Sequence, residues 1–162
     1  MRTTFIISFV GNLIFIVGVW IFGPSRVAMH FGPGGEPGNW APACVNALIM
    51  SGVLLLLFVP IFFAPRLIRI APRWLNGPNK DYWLREENRD RMEAMLTARM
   101  YRFGTVTFVF IFLVGLLALQ ANLSTPVRFR EDLFWWPFGV YMAYMAYWTV
   151  EIMLAFRVRR RQ

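Results

Sequence analysis

Four runs of about twenty mostly apolar residues, at 5–23, 43–63, 103–122 and 134–156, constrain this chain more than any motif in it. A helix of that length crosses the ~30 Å hydrocarbon core of a bilayer, and a helix satisfies every backbone polar group within one segment. Hydrophobic residues make up 57% of the 162, aromatics 17%, and the mean hydropathy is +0.47, beyond what a soluble domain carries. The expectation is an all-α integral membrane protein: one membrane domain, 1–162, with four transmembrane helices. Met1 and Arg2 give the first run a basic start, but nineteen residues exceed the ~7 to 15 of a secretory signal core, so it is read as a retained span. Ala41-Pro42-Ala43-Cys44 is similar to a lipoprotein cleavage site, yet it opens directly into the second run and is discounted. The single cysteine, Cys44, excludes an intramolecular disulfide and is read as an inert helix residue.

Orientation follows from the arginines and lysines. The segment 64–102, the tail from Arg157 and Arg2 together hold 14 of the 17, against Arg26, Arg128 and Arg130 on the other side. The positive-inside rule therefore puts both termini, and 64–102, in the cytoplasm. The formal charge of +8 is then a topology signal rather than a nucleic-acid footprint. It also attracts anionic lipids to the cytoplasmic face, by about 1 kcal/mol per well-placed basic residue.

The loop 24–42 is expected outside, and it holds the one histidine, His30. Its Pro-Gly and Gly-Gly steps force turns, no helix crosses it, and only 26–31 has room to be extended. His30, Phe31 and Trp40 are expected to form a small packed cap, either for loop order or for recognition of a ligand. His30, Phe31, Glu36, Pro37 and Trp40 are the candidate binding residues of this loop.

Between the second and third runs, 66–70 lies between Pro65 and Pro72 and reads as an interfacial stretch with Trp74 as its anchor, followed by a turn at 76–79. A helix capped by Asp81 is expected to run through Arg102 into the third span. Met92, Met95, Leu96 and Met100 recur on one face, with Glu87–Arg91 and Arg89–Glu93 four apart on the other. This cytoplasmic amphipathic helix is a solvated face or a docking surface, and Asn79, Tyr82 and Trp83 are its candidate docking residues. Trp135 and Trp136 read as head-group belt residues.

Glu151 is the one acid inside a span, and intramembrane acids face the bundle interior. Tyr141, Tyr144, Trp148 and Glu151, at spacings of three, four and three, make one polar-aromatic stripe. Asn12 lies at a matching depth and is the expected partner, either in an interhelical hydrogen bond or in a proton or substrate relay. Nothing points to an enzyme: one histidine and one glutamate in a loop fall short of a zinc set, and no activated nucleophile or phosphate loop is present. No metal or cofactor is implied.

Val27-x-x-His30-Phe31-x-x-x-Gly35-x-Pro37-x-x-Trp40, between a first and a second span, resembles the domain of unknown function (DUF) that opens SdpI-type bacterial immunity membrane proteins. Asn79-Lys80-Asp81-Tyr82-Trp83-Leu84 is similar to a segment of smaller relatives, so the resemblance covers about residues 5–100. It implies a bacterial inner-membrane protein that counters or senses a membrane-active peptide through its outer loop. With four expected spans and no second membrane domain expected after them, the chain departs from the longer pattern of that family. An accessory subunit of a larger membrane complex is the alternative.

Overall fold

The computed structural model describes residues 1–70 and 79–157. The elements follow in the order α1 (Arg2–Phe22), β1 (Arg26–Phe31), β2 (Pro37–Pro42), α2 (Ala43–Ile70), α3 (Lys80–Trp83), α4 (Glu86–Leu123) and α5 (Glu131–Ala155). Helices α1, α2 and α4 are long and apolar enough to cross a membrane, which fits a helical membrane protein. Helix α5 has the length of a span at 25 residues, but it begins with Glu131 and Asp132 and carries Glu151.

Three boundaries differ from the sequence expectation. Helix α2 does not stop before an interfacial stretch: it continues through Pro60 and Pro65 to Ile70. An internal proline deletes one N–H from the ladder, but membrane helices tolerate it where neighbouring helices hold the segment, and Ile61 and Pro65 are buried. The helix expected from Asp81 is divided. Asn79, left-handed at φ 56°, opens the single turn of α3, and Arg85, extended at ψ 141°, breaks the chain before α4 starts at Glu86. Asp81 therefore caps nothing, and the Arg89 Nε bonds the carbonyl of Leu84 at 2.9 Å. Beyond the break α4 runs unbroken into the apolar run, as expected, with Met92 and Leu96 buried against Trp83 and Phe156. Pro72, Trp74, 76–78 and the arginines of the tail beyond Arg157 lie outside the described residues.

Helices α1, α2 and α4 form a three-helix bundle, and α5 lies on the outside of α4. The bundle is packed around a buried aromatic cluster at one end. There Phe5, fully buried, stacks on Phe58 at 5.0 Å and on Tyr101 at 5.1 Å, with Phe108 at 5.5 Å. Phe9 adds a second stack on Phe58 at 4.3 Å. Gly104 lets this cluster close, since a Cβ there would collide with the Phe5 ring and press on Ile61. Phe5 has no room to swing away, being held on both faces. Gly104→Ala is therefore expected to lower stability by about 1–3 kcal/mol, read as a fall in melting temperature in detergent. An unchanged melting point would show that the helices are not locked by this contact.

Candidate functional site

Between α1 and α2 the glycine-rich loop is a two-stranded antiparallel hairpin. The pairing carries two compensating irregularities: Met29 is an extra residue on β1 and Gly38 an extra one on β2. Their effect is that strict alternation of inward and outward side chains is lost. At the turn, Gly34 and Gly35 both take positive φ, 75° and 76°, a conformation that glycine adopts without strain. Gly35 is also buried, and a Cβ on it would strike the carbonyl of Phe129.

The hairpin is fastened to the far side of the bundle by polar contacts. The Asn122 amide, near the end of α4, accepts from the Ala28 N–H at 2.6 Å and donates to the Ala28 carbonyl at 3.4 Å, so a side chain stands where a third strand would pair. The turn is held from the 124–130 segment. The Phe129 N–H donates to the Gly35 carbonyl at 2.8 Å, Arg128 Nε to the Gly34 carbonyl at 2.7 Å, and the Gly35 N–H to Glu131 Oε1 at 3.0 Å. Phe31 stacks on Phe129 at 5.2 Å. Nearby, the Arg130 guanidinium, hydrogen-bonded to Asp132 at 2.6 Å, holds that exposed carboxyl below the usual carboxylate range.

Beneath the hairpin, where α1, α2 and α4 diverge, lies a cavity of about 570 Å³. Its walls are apolar, with Phe15, Val19, Leu54 and Val114 among them, and Val27 to Gly32 form its roof. Polar groups enter it at few points: Asn12 at the floor, Asn46 on α2, and Asn122, His30 and Glu131 near the roof. An apolar enclosure of this size with sparse polar groups is the form of a small-molecule or side-chain binding site. No group of three or more candidate metal ligands occurs among the described residues.

Of the residues nominated in the outer loop, Phe31 and the half-buried Pro37 pack into the assembly. His30, Glu36 and Trp40 are exposed, so the expected cap of His30, Phe31 and Trp40 does not form. The bulge at Met29 breaks the alternation and leaves Phe31 against Phe129 instead.

The stripe on α5 is present, but its expected partner is not. Glu151 pairs with Arg102 and, at 3.5 Å, with Arg99, both on α4. The Trp148 indole donates to the Arg99 carbonyl at 3.2 Å, Tyr141 shares a hydrogen bond with Thr107 at 3.1 Å, and the Tyr144 hydroxyl is buried without a hydrogen-bond partner among the described residues. Asn12 instead donates to the carbonyls of Ser8 and Phe108, at 2.8 and 2.9 Å, and so ties α1 to α4. Depth along the helix matched, but the two residues face different neighbours.

The nominated docking residues are engaged within the chain. The Trp83 indole and the Asn79 amide both donate, at 3.0 Å, to the carbonyl of Phe156, closing the end of α5, and Tyr82 meets Trp83 edge to face. Trp83 is only 4% exposed and presents no surface to a partner.

Sequence reasoning missed Asn122 and Glu131. A span expected to end at 122 places a polar amide at its edge, which is where a side chain able to pair with backbone is useful.

Comparison of the chain with protein-family models, with curated proteins and with solved structures gave no match in any of the three.

Asn122→Leu keeps the volume and removes the pairing with Ala28. It is expected to cost about 1–3 kcal/mol, because a buried backbone N–H is left unsatisfied. Hydrogen exchange at Val27 and Ala28 should rise markedly while exchange around Phe108 stays slow. Equal protection in the two proteins would mean that the amide does not hold the roof.

Proposed function

We propose that this chain is a non-enzymatic, four-span protein of the bacterial cytoplasmic membrane that counters a membrane-active peptide by taking an apolar part of it into the hairpin-roofed cavity. The cavity of about 570 Å³ between three diverging helices is the observation that carries the reading. In this topology α5 is the fourth span, both termini are cytoplasmic, and the hairpin faces outward. The asymmetry of the arginines supports that orientation. The resemblance of the Val27 to Trp40 pattern to the opening domain of SdpI-type immunity proteins points to the same kind of ligand.

The roles divide by position. The exposed His30, Glu36 and Trp40 lie on the hairpin where a peptide arriving from outside meets the protein first, and the apolar walls below receive a buried side chain. Tryptophan at an interface contributes large rigid area with a polar tip, which suits a first contact.

The test is survival of bacteria producing the chain when challenged with a panel of membrane-active peptides. Ala118→Phe, which fills the cavity, and Trp40→Ala are each expected to abolish protection, with membrane levels of the protein unchanged. Full protection by both variants would remove the cavity and the hairpin from the function.

A second reading rests on α5, which has no buried residue and leaves Trp136, Val140 and Tyr147 more than half exposed. As an accessory subunit, the chain would set this face against another membrane protein. Purification in mild detergent should then yield another chain in stoichiometric amount, whereas the peptide-binding reading expects this chain without one.

A further inference from the structure

The floor of the hairpin-roofed cavity holds a polar group that the fold leaves half used. Asn12 is the middle residue of the 21 in α1, roughly 15 Å from either end at 1.5 Å per residue, a depth at which lipid offers no hydrogen bond. Both hydrogens of its amide are committed, to the carbonyls of Ser8 and Phe108. Carbonyl oxygens only accept, so the orientation of the amide is fixed and Oδ1 is the atom left over. Oδ1 receives no hydrogen bond among the described residues, although Asn12 is 3% exposed. Unlike the Tyr144 hydroxyl, which is sealed as well as unpartnered, Asn12 Oδ1 is reachable from the cavity. A lone acceptor in an apolar enclosure calls for a donor.

The surroundings restrict what that donor is. Phe15 and Phe110 give the cavity aromatic walls, with Ile16, Leu54 and Val114 beside them. Phe15 is seated over Gly115, where a Cβ would come within 2.8 Å of its ring, so this wall is fixed against α4. Among peptide side chains, lysine and arginine bring a charge that nothing at the floor offsets. A serine, threonine or tyrosine hydroxyl donates, but its own oxygen then lies among apolar walls without a donor, because the Asn12 amide hydrogens are taken. A carboxamide or a neutral imidazole brings the same surplus acceptor. The indole of tryptophan is donor-only, with one N–H on a flat apolar body.

We propose that the cavity takes a tryptophan side chain of its peptide, with the indole N–H donating to Asn12 Oδ1 and the ring against the aromatic walls. This rests on the reading of the cavity as a peptide site and names the side chain that the site selects. Asn12 is then the residue that sets specificity, and a cavity of about 570 Å³ has room for an indole and for the chain that carries it.

The experiment compares indole with benzothiophene, which has nearly the same shape and is more apolar but has no donor. Binding to the full chain in lipid nanodiscs is followed by ligand-observed NMR, with empty nanodiscs subtracted to remove partition into lipid. Benzothiophene is expected to bind about tenfold or more weakly than indole, because the buried acceptor is left without its hydrogen bond. Ala118→Phe, which fills the cavity, should abolish binding of both. Asn12→Leu should bring the two affinities together, and if that variant does not fold the comparison in the unaltered chain decides alone. Equal affinities in the unaltered chain, both lost in Ala118→Phe, would overturn the indole assignment and leave the cavity as a binding site. Indole binding that survives Ala118→Phe would place the site elsewhere and overturn the assignment as well. Specific binding of neither probe would overturn it together with the reading of the cavity.

Discussion

Everything in this structure depends on how closely three helices approach around the ring of Phe5. Between lipid-facing helices there is no hydrophobic driving force of the kind that folds soluble domains, so association rests on van der Waals contact and on polar bonds. Stacking on Phe58 and Tyr101, made possible by Gly104, supplies the contact, and Asn12 to the Phe108 carbonyl supplies the bond. Aromatic pairs contribute about 0.5–1.5 kcal/mol each beyond their buried area, and one ring here takes part in three. Above Asn12, α1 and α4 still meet through Phe15 and Phe112, 5.1 Å apart edge to face, and the cavity opens beside that pair among Val19, Met50 and Val114.

A gap between helices in a membrane fills with acyl chains unless something covers it. The hairpin does so because its backbone is paired on both sides: β2 on one edge of β1, the Asn122 amide at Ala28 on the other. The Gly34-Gly35 turn is the second fixed point, and it requires glycine twice over, for the positive φ and for the approach of Phe129. Glu131 belongs to α5 and Asn122 to α4, so the roof depends on α4 and on the first turn of α5. Phe156 at the other end of α5 is held by Asn79 and Trp83, which makes α5 a strut fixed at both ends and zipped along its length by Tyr141, Trp148 and Glu151.

The spans were legible because membrane crossing imposes length and composition together, and three of the four runs meet both in the structure. The face of α5 was legible for a similar reason, since spacings of three and four define a helix side whatever packs against it. What packs against it was not. Depth from the membrane edge made Asn12 a match for Glu151, whereas the real partners, Arg99 and Arg102, read as part of a solvated cytoplasmic helix. Rotation about the helix axis, which decides neighbours, is invisible without the bundle. The stretch 26–31 was legible as the one with room to be extended, and it is β1, but its pairing into a hairpin was hidden by irregularity: extra residues at Met29 and Gly38 erase the alternation by which a strand is recognised. Trp83 looked like surface because nothing local says that the chain breaks at Arg85 and turns the indole toward Phe156.

The chemistry of the hairpin-roofed cavity follows from its solvent. For a ligand already partitioned into lipid, an apolar wall offers little that acyl chains do not, so Phe15, Val19 and Val114 supply shape more than affinity. Discrimination must come from groups that lipid tails lack. The half-buried Asn46 has no hydrogen-bond partner among the described residues, and Asn12 lines the floor with one amide group already engaged by Ser8 and Phe108. A hydrocarbon chain leaves such groups unsatisfied, whereas a peptide segment can bond both inside a low-dielectric enclosure, a carbonyl accepting from the Asn46 amide and an N–H donating to the Asn12 oxygen. The same reasoning disfavours a fully charged group at the floor, since only amides meet it there and no ion pair offsets its desolvation. A segment that is apolar along its length and neutral but hydrogen-bonding at its tip therefore fits this cavity better than either a lipid tail or a charged side chain.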